Sequence, residues 1–150
     1  MVRYTSDDGW HEGTVEEVWR LIMSHTDENV PHIHKGILSQ RTVQRSGNGM
    51  IVDTLYAAPR GGEPVKVRMR FTGYPPSGTL VEVLEGPLAG SWFTNMFVPD
   101  GARTRVVTAG DFRGPGLDDA AALRAAAQFL DGAYEEDEAY LKKLRASPSK

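Results

Sequence analysis

The feature of this sequence that most restricts its fold is a series of turn signals at nearly regular spacing from about residue 36 to residue 116. Glycine, proline, asparagine and aspartate cluster at five places inside that stretch, and such clusters close the tight turns of antiparallel hairpins. The segments between the turns therefore predict six consecutive strands in hairpin connection. The five turn signals occupy residues 46–49, 59–62, 74–78, 86–90 and 99–101.

One of these segments indicates which face of the sheet is buried. Apolar and polar side chains alternate strictly from residue 65 to residue 72, a pattern typical of a sheet that is covered on one face only. The inward-facing set is predicted to be Val65, Val67, Met69 and Phe71. The opposite face carries Lys66, Arg68 and Arg70, which Glu82 and Glu85 on the next strand are expected to neutralise. A solvated sheet face is therefore favoured over a nucleic-acid surface.

Helices are predicted on both sides of the strand series, after an N-terminal strand at about residues 2–11. Thr14 and Glu17 have the spacing of a capping box, which starts a helix that continues to about His25. A second short helical turn is expected at residues 27–31. The longest element should begin after Asp118 as N-cap and end near Arg145. Its predicted inward stripe is Leu123, Ala127, Leu130, Tyr134, Asp137, Leu141 and Leu144.

These elements favour an α+β architecture with a strongly curved seven-stranded antiparallel sheet. One long helix cannot cover both faces of such a sheet, so the sheet is expected to wrap around the C-terminal helix. Two short helices follow strand 1. Where sheet and helix diverge, a cavity is expected between them. Residues 1–146 should form a single domain, and residues 147–150 a frayed tail.

Composition narrows the possible functions. The chain has no cysteine, which excludes disulfides, thiolate metal sites and a cysteine nucleophile, and suits a reducing cytoplasm. Its net charge of −3 argues against a generic binder of polyanions. We find no apolar run near the roughly 20 residues that cross a bilayer and no signal-peptide core at the N-terminus. A cytoplasmic protein without stable membrane insertion and without nucleic-acid partners is expected.

In its motifs and element order the chain resembles the START-related lipid-transfer and polyketide-cyclase superfamily (SRPBCC), which has the helix-grip fold. The motifs are residues 13–19 at the first helix, 90–93 before a strand, 99–106 across a hairpin, and 135–142 of the last helix. Two departures are Gly13, where a proline is common, and the short loop around Asn48. The resemblance implies binding of hydrophobic or amphipathic small molecules, sometimes with catalysis, but supplies no shared catalytic motif.

Asp137 is the most informative single residue. It occupies a position between Leu130 and Leu144 where the helical period predicts an apolar side chain. Burial of an unpartnered carboxylate costs several kcal/mol, so Asp137 should have a donor across the cavity or contact water. It could be a polar anchor for a ligand or a general acid or base, with Tyr134 one turn earlier as its companion. Alternatively, the late part of the helix projects past the sheet and Asp137 contacts solvent or a backbone amide, while Tyr134 packs as in any amphipathic helix with its hydroxyl at the rim.

Histidines provide the second candidate cluster. His25, His32 and His34 lie close together after the first helix. If the segment is extended, His32 and His34 point to the same side and could form a metal pair. They are weak candidates, because a third ligand would still be needed, and the alternative is a polar mouth to the cavity. We therefore expect no metal and no other cofactor.

Three functional hypotheses remain open. The first is a carrier or sensor whose cavity walls include Val65, Val67, Met69, Phe71, Val106 and Leu130, with Asn95, Tyr134 and Asp137 orienting the ligand. The second is a cofactor-independent cyclase, dehydratase or aromatase acting on a polyketide-like substrate in the same cavity, with Asp137 and Tyr134 as catalytic residues. The third is a protein-interaction module of the chaperone-cofactor or ribosome-associated type. Sequence signatures of serine hydrolases, phosphate-binding loops and zinc proteases are missing.

Overall fold

The computed structural model describes residues 1–58 and 60–147. These residues form seven strands and three helices in the predicted order. The elements are β1 (Val2–His11), α1 (Val15–Met23), α2 (Val30–Ile33), β2 (Ile37–Ser46), β3 (Gly49–Tyr56), β4 (Val65–Tyr74), β5 (Gly78–Glu85), β6 (Trp92–Asp100), β7 (Arg103–Phe112) and α3 (Asp119–Ala146). The seven-stranded antiparallel sheet, the long C-terminal helix and the two short helices after strand 1 are thus confirmed.

The sheet has the strand order β1-β7-β6-β5-β4-β3-β2. Strands β2 to β7 form a continuous meander, and β1 completes the sheet beside β7. Since β1 and β2 lie at opposite edges, the chain from α1 through α2 must cross from one edge to the other. Register shifts in the β1–β7, β2–β3 and β4–β5 pairs mark bulges, which bend strands.

Local capping sets the starts of the two longer helices. The Thr14 backbone amide donates to Glu17 Oε2 at 2.8 Å, and the Glu17 amide donates to Thr14 Oγ1 at 3.3 Å, which confirms the predicted capping box. Asp118 caps α3 by accepting the Ala121 amide at 2.7 Å. The helix α3 ends at Ala146, and residues 148–150 of the predicted tail lie outside the described residues.

The second helix lies later than predicted. We expected a helical turn at residues 27–31, whereas α2 spans Val30–Ile33. Pro31 favours a position in the first turn of a helix, because its missing N–H has no intrahelical partner there. Asp27 lies in the turn at residues 27–29 that precedes α2, and its carboxylate accepts the Thr42 amide at 2.6 Å and the Thr42 hydroxyl at 2.8 Å.

Two hydrophobic clusters lie on the inner side of the sheet. The first fills the space between the middle of the sheet and the first half of α3; its buried members are Val52, Met69, Val81, Val83, Phe93, Phe112 and Ala126. The second joins α1 and the second half of α3 to β6 and β7; its buried members are Val15, Val18, Leu21, Phe97, Val106 and Leu141. Val67, Phe71 and Leu130 pack against the first cluster.

The inward stripe of α3 was predicted incorrectly at its start. Leu123 is 39% exposed, whereas its neighbour Ala122 is 2% exposed and Ala126 is fully buried. The buried face at the start of α3 is therefore displaced by one residue, or about 100° around the helix. Small alanine side chains let the helix backbone approach its neighbours more closely than leucines would.

Candidate functional site

A cluster of titratable side chains lies where α3 meets the crossing segment that contains α1 and α2. His25 follows α1, His34 is the C-cap of α2, and Asp137 lies in the second half of α3. We call these three residues the His-Asp cluster. Their side chains are partly buried, with exposures of 22%, 13% and 20% respectively. The fold therefore brings together residues that are more than a hundred positions apart in the chain.

The His-Asp cluster is a compact triangle of three polar atoms. His25 Nε2 lies 3.1 Å from Asp137 Oδ1, and His34 Nε2 lies 3.3 Å from the same oxygen. The two Nε2 atoms are 3.2 Å apart. One carboxylate oxygen thus faces two imidazole nitrogens at nearly equal distances.

The outer nitrogens of both imidazoles face acceptors. His25 Nδ1 lies 2.9 Å from the Leu21 carbonyl oxygen, and His34 Nδ1 lies 3.4 Å from Glu136 Oε1. Since a carbonyl and a carboxylate can only accept, each Nδ1 is expected to carry a proton. In a neutral imidazole the proton on Nδ1 leaves a lone pair on Nε2. In the neutral forms both lone pairs point into the triangle, whereas in the imidazolium forms both Nε2 atoms donate to Asp137.

Electrostatics keep the cluster carboxylate ionised. Burial by itself raises the pKa of Asp137, but hydrogen bonds and positive charge from His25 and His34 outweigh it and hold the pKa at about 2. For His34, burial lowers the pKa, while the hydrogen bond and charge of Asp137, supported by Glu136, produce a net increase. Asp137 therefore has the polar partners that its position in an apolar stripe required.

Further hydrogen bonds fix the crossing segment to α3 around the cluster. The Lys35 amide donates to Glu136 Oε2 at 2.8 Å. The Asn29 side-chain amide donates to the Tyr140 hydroxyl at 2.8 Å. The positions of His25 and His34 relative to Asp137 are therefore set by several independent contacts.

Tyr134, the expected companion of Asp137, makes different contacts. Its hydroxyl donates to the Trp10 carbonyl and accepts the Trp10 amide at 2.8 Å, within β1. Its ring stacks on His11 at a centroid distance of 5.0 Å. The Nδ1 atom of His11 in turn lies 2.6 Å from Glu138 Oε2. Tyr134 thus attaches α3 to the edge strand, whereas Asp137 attaches it to the crossing segment.

The predicted histidine pair is not brought together. His32 is exposed within the helical turn of α2, while His34 is partly buried in the His-Asp cluster. The condition for such a pair, an extended segment, is not met, because Val30–Ile33 is helical. Sequence analysis named His25 as a member of the histidine cluster but did not pair it with Asp137. The local contact that orients His25 is with the carbonyl of Leu21, four residues earlier.

The other predicted site residues lie on or near the inner face. Val67, Met69, Phe71 and Leu130 belong to the first hydrophobic cluster or pack against it. Val106 belongs to the second cluster, and Val65 is partly buried opposite Tyr56 at the start of β4. Asn95 lies between buried Phe93 and Phe97 on alternate positions of β6, so it faces inward. Its Oδ1 accepts the Thr108 hydroxyl at 2.7 Å.

The outer face of the sheet is dominated by ion pairs, as predicted. Arg68 binds Asp53 through two nitrogens at 2.7 and 3.0 Å and also contacts Glu85 at 3.4 Å. Arg70 pairs with Glu82 at 3.3 Å. The basic row of β4 is therefore neutralised by acidic residues on both neighbouring strands.

Two concavities among the described residues also lie on the outer face. One, of about 400 Å³, is lined by residues of β2, β3 and β4 such as Ile51 and Arg70. The other, of about 460 Å³, is lined by residues of β5 and β6 such as Leu80 and Trp92. Alternation along the strands places these side chains opposite to the buried ones. Neither concavity opens between the sheet and α3.

Comparison with known proteins identifies the fold. The crystal structure of Ara h 8.0201 superposes on this chain with a TM-score of 0.76 at 14% sequence identity, over 94% of this chain and 99% of that one. The structure of Zhui aromatase/cyclase from Streptomyces sp. R1128 superposes with a TM-score of 0.67 at 16% sequence identity, over 91% of this chain and 92% of that one. The structure of a START superfamily protein from Mycobacterium smegmatis superposes with a TM-score of 0.69 at 15% sequence identity, over 95% of this chain and 97% of that one.

The chain has the helix-grip fold. The resemblance predicted from the sequence is thereby confirmed at the level of the fold, over nearly the whole chain. No protein-family model and no curated protein sequence matches this chain. Among the described residues, no helix is both long and apolar enough to span a bilayer.

Proposed function

We propose that this protein binds a hydrophobic or amphipathic small molecule between the concave face of the sheet and α3. The observation that carries the proposal is the uneven distance of α3 from the sheet. The backbone of α3 approaches mainly β1, β7 and the two short helices. Over β3 to β5, the space is bridged by large side chains instead, such as Phe129, which meets Tyr56 and Phe93 edge-on at 6.3 and 6.1 Å.

The inner-face side chains of this region are apolar and not completely buried. Met50, Val67, Phe71 and Leu130 pack against the first hydrophobic cluster but remain partly exposed. When a hydrophobic molecule covers apolar surface that water can reach, the free energy falls by about 25 cal/mol per Å² of surface covered. These side chains therefore favour an apolar ligand.

Two polar groups on the same face could orient such a ligand. Asn95 uses its carbonyl oxygen for Thr108, which leaves its amide N–H groups to donate elsewhere. Burial raises the pKa of Tyr56 to about 12, so its hydroxyl stays protonated and can donate as well. A few donors within an apolar surface are typical of sites for amphipathic molecules.

A paired substitution on β4 tests the proposal. Val67 faces the inner space and Lys66 faces solvent, so Val67→Trp should occupy the site while Lys66→Trp should not. We would measure binding of the apolar fluorescent dye anilinonaphthalene sulfonate and of an unbranched fatty acid. The expected result is saturable binding that Val67→Trp weakens at least tenfold and Lys66→Trp leaves within twofold. Absence of saturable binding by the wild type, or equal effects of the two variants, would contradict the proposal.

Catalysis is the second candidate function. It is supported by the names of three similar structures, Zhui and the two-domain ARO/CYC proteins StfQ and BexL. Under this proposal Asp137 and Tyr134 would act on a polyketide-like substrate in the same space. Both side chains have intramolecular partners, so substrate would have to compete with His25, His34 or the Trp10 backbone. Turnover of a polyketide-like test substrate that is retained in Asp137→Asn and Tyr134→Phe would exclude both as catalytic residues.

A further inference from the structure

We propose that His25, His34 and Asp137 form a binding site for one divalent transition-metal ion, with Zn²⁺ as the representative ion. The three side chains offer two imidazole nitrogens and one carboxylate oxygen that lie within 4.8 Å of one another. Zinc is bound by these ligand types, and sites with three protein ligands leave a fourth position for water or another molecule. The proposal is independent of the apolar ligand, because it concerns the junction of α3 with the crossing segment.

The spacing of the three ligand atoms matches the size of such an ion. The triangle has edges of 3.1, 3.2 and 3.3 Å. With metal–ligand bonds of about 2.0–2.1 Å, the ligand atoms of a tetrahedral site are separated by about 3.3–3.4 Å. Shifts of a few tenths of an ångström would therefore place one ion at bonding distance from all three atoms.

The surrounding hydrogen bonds direct the correct nitrogens into the triangle. A metal-binding imidazole usually donates its other N–H to a carbonyl or a carboxylate, which fixes its tautomer and orientation. His25 Nδ1 faces the Leu21 carbonyl at 2.9 Å, and His34 Nδ1 faces Glu136 Oε1 at 3.4 Å. In the neutral imidazoles, which are the metal-binding forms, both Nε2 lone pairs consequently point toward Asp137 Oδ1.

The triangle requires a positive charge at its centre. Two lone pairs and a carboxylate oxygen at mutual distances of 3.1–3.3 Å repel one another unless a cation lies between them. That cation can be a metal ion, or protons that convert an imidazole to imidazolium. The carboxylates of Asp137 and Glu136 add negative charge, which favours a divalent ion. The experiment must therefore distinguish a metal site from a proton-bridged cluster.

The cluster is also accessible and anchored. Its side chains are 13–22% exposed, so an ion and a fourth ligand can reach it. The three ligands come from the end of α1, the end of α2 and the middle of the second half of α3. A bound ion would link these elements, and should raise the melting temperature of the full-length protein.

The test is a titration of chelator-treated, full-length protein with Zn²⁺ by calorimetry, repeated with Co²⁺ to read coordination from its visible absorption. We expect one ion per chain, and a Co²⁺ spectrum with the high intensity of four-coordinate sites. His25→Ala, His34→Ala and Asp137→Asn should each weaken Zn²⁺ binding at least 100-fold. Glu136→Gln, which changes only an outer contact, should weaken it roughly tenfold.

His32→Ala is the matched control, since His32 is exposed in α2 two residues before His34 and lies outside the cluster. It should leave the affinity within twofold of the wild type. Where a ligand variant fails to fold, anomalous X-ray scattering from Zn²⁺-soaked wild-type crystals decides the question by locating the ion. Absence of saturable Zn²⁺ binding, an equal loss in His32→Ala, or an ion located elsewhere would overturn the proposal. The dye-binding experiment proposed above tests a different site with a different probe. A failure of dye binding can therefore be distinguished from a failure of Zn²⁺ binding.

Discussion

Substitution of two buried threonines by valine should change stability in opposite directions. Thr54 in β3 is 1% exposed, and its hydroxyl oxygen is buried without a hydrogen-bond partner among the described residues. Thr104 in β7 is fully buried, and its hydroxyl donates to the Gly13 carbonyl at 2.8 Å. The two sites share secondary structure and burial, and differ in whether the hydroxyl is satisfied.

The magnitudes follow from the cost of buried polar groups. An unpaired buried hydroxyl costs about 1–3 kcal/mol, so Thr54→Val should raise the free energy of unfolding by about 1–2 kcal/mol. Thr104→Val removes a hydrogen bond and leaves the Gly13 carbonyl unpaired, so it should lower the free energy of unfolding by about 1–2 kcal/mol. For a chain of this size, each kcal/mol corresponds to a shift of about 2–4 °C in melting temperature.

The assay is equilibrium unfolding in urea, followed by circular dichroism and by tryptophan fluorescence. Equal dependence on urea concentration in all three proteins would show that the unfolded states are comparable. Destabilisation by Thr54→Val of 1 kcal/mol or more would refute the reasoning, because it would mean that the hydroxyl has a partner. A neutral Thr104→Val would refute the assigned bond to Gly13.

Two further substitutions test the packing of α3 and the outer ion pairs. Leu141 is 1% exposed and Leu123 is 39% exposed. In urea unfolding, Leu141→Ala should therefore lower the free energy of unfolding by about 2–5 kcal/mol, and Leu123→Ala by less than about 0.5 kcal/mol. Similar losses in the two variants would show that Leu123 is buried, as the stripe predicted from sequence requires. Hydrogen bonds from Arg68, with its charge and that of Lys66, hold the pKa of Asp53 at about 2 against the opposing effect of burial. Because this pKa lies below its unfolded value, the stabilisation is complete above about pH 4 and is lost as pH falls through about 2. Asp53→Asn should therefore be less stable than the wild type near neutrality, and this difference should shrink as the pH falls from about 4 through about 2; a difference independent of pH would contradict this origin.

Local signals in the sequence predicted most of the fold because each has a short-range physical cause. The Thr14–Glu17 capping box and the Asp118 cap define helix starts through bonds between residues three apart. The alternation from residue 65 to residue 72 gave the facing of β4 correctly. Such patterns depend on backbone geometry within one element, so they can be recognised in the sequence without knowledge of the tertiary structure.

Errors arose where tertiary contacts choose between similar local options. At the start of α3 the helical period allows either Leu123 or Ala122 to face inward, and the close approach of the helix selects the alanine. The short helix was expected at residues 27–31 but spans Val30–Ile33, and Asp27 lies in the turn before it, where its carboxylate binds Thr42 on β2. In each case the deciding partner lies on another element, so no local pattern reveals it.

The candidate site shows the same division between a local anomaly and its distant explanation. Asp137 was found because a carboxylate in an apolar stripe demands a partner, and this demand can be read from one helix. The identity of the partners depends on a chain crossing that brings His25 and His34 from the α1–α2 segment to α3. His32 is as close in sequence to the first helix as His34, yet one helical turn leaves it in solvent. A sequence can therefore show that a buried carboxylate needs a partner. The fold determines which side chains lie close enough to supply a proton, or to hold a ligand or a metal ion, at that carboxylate.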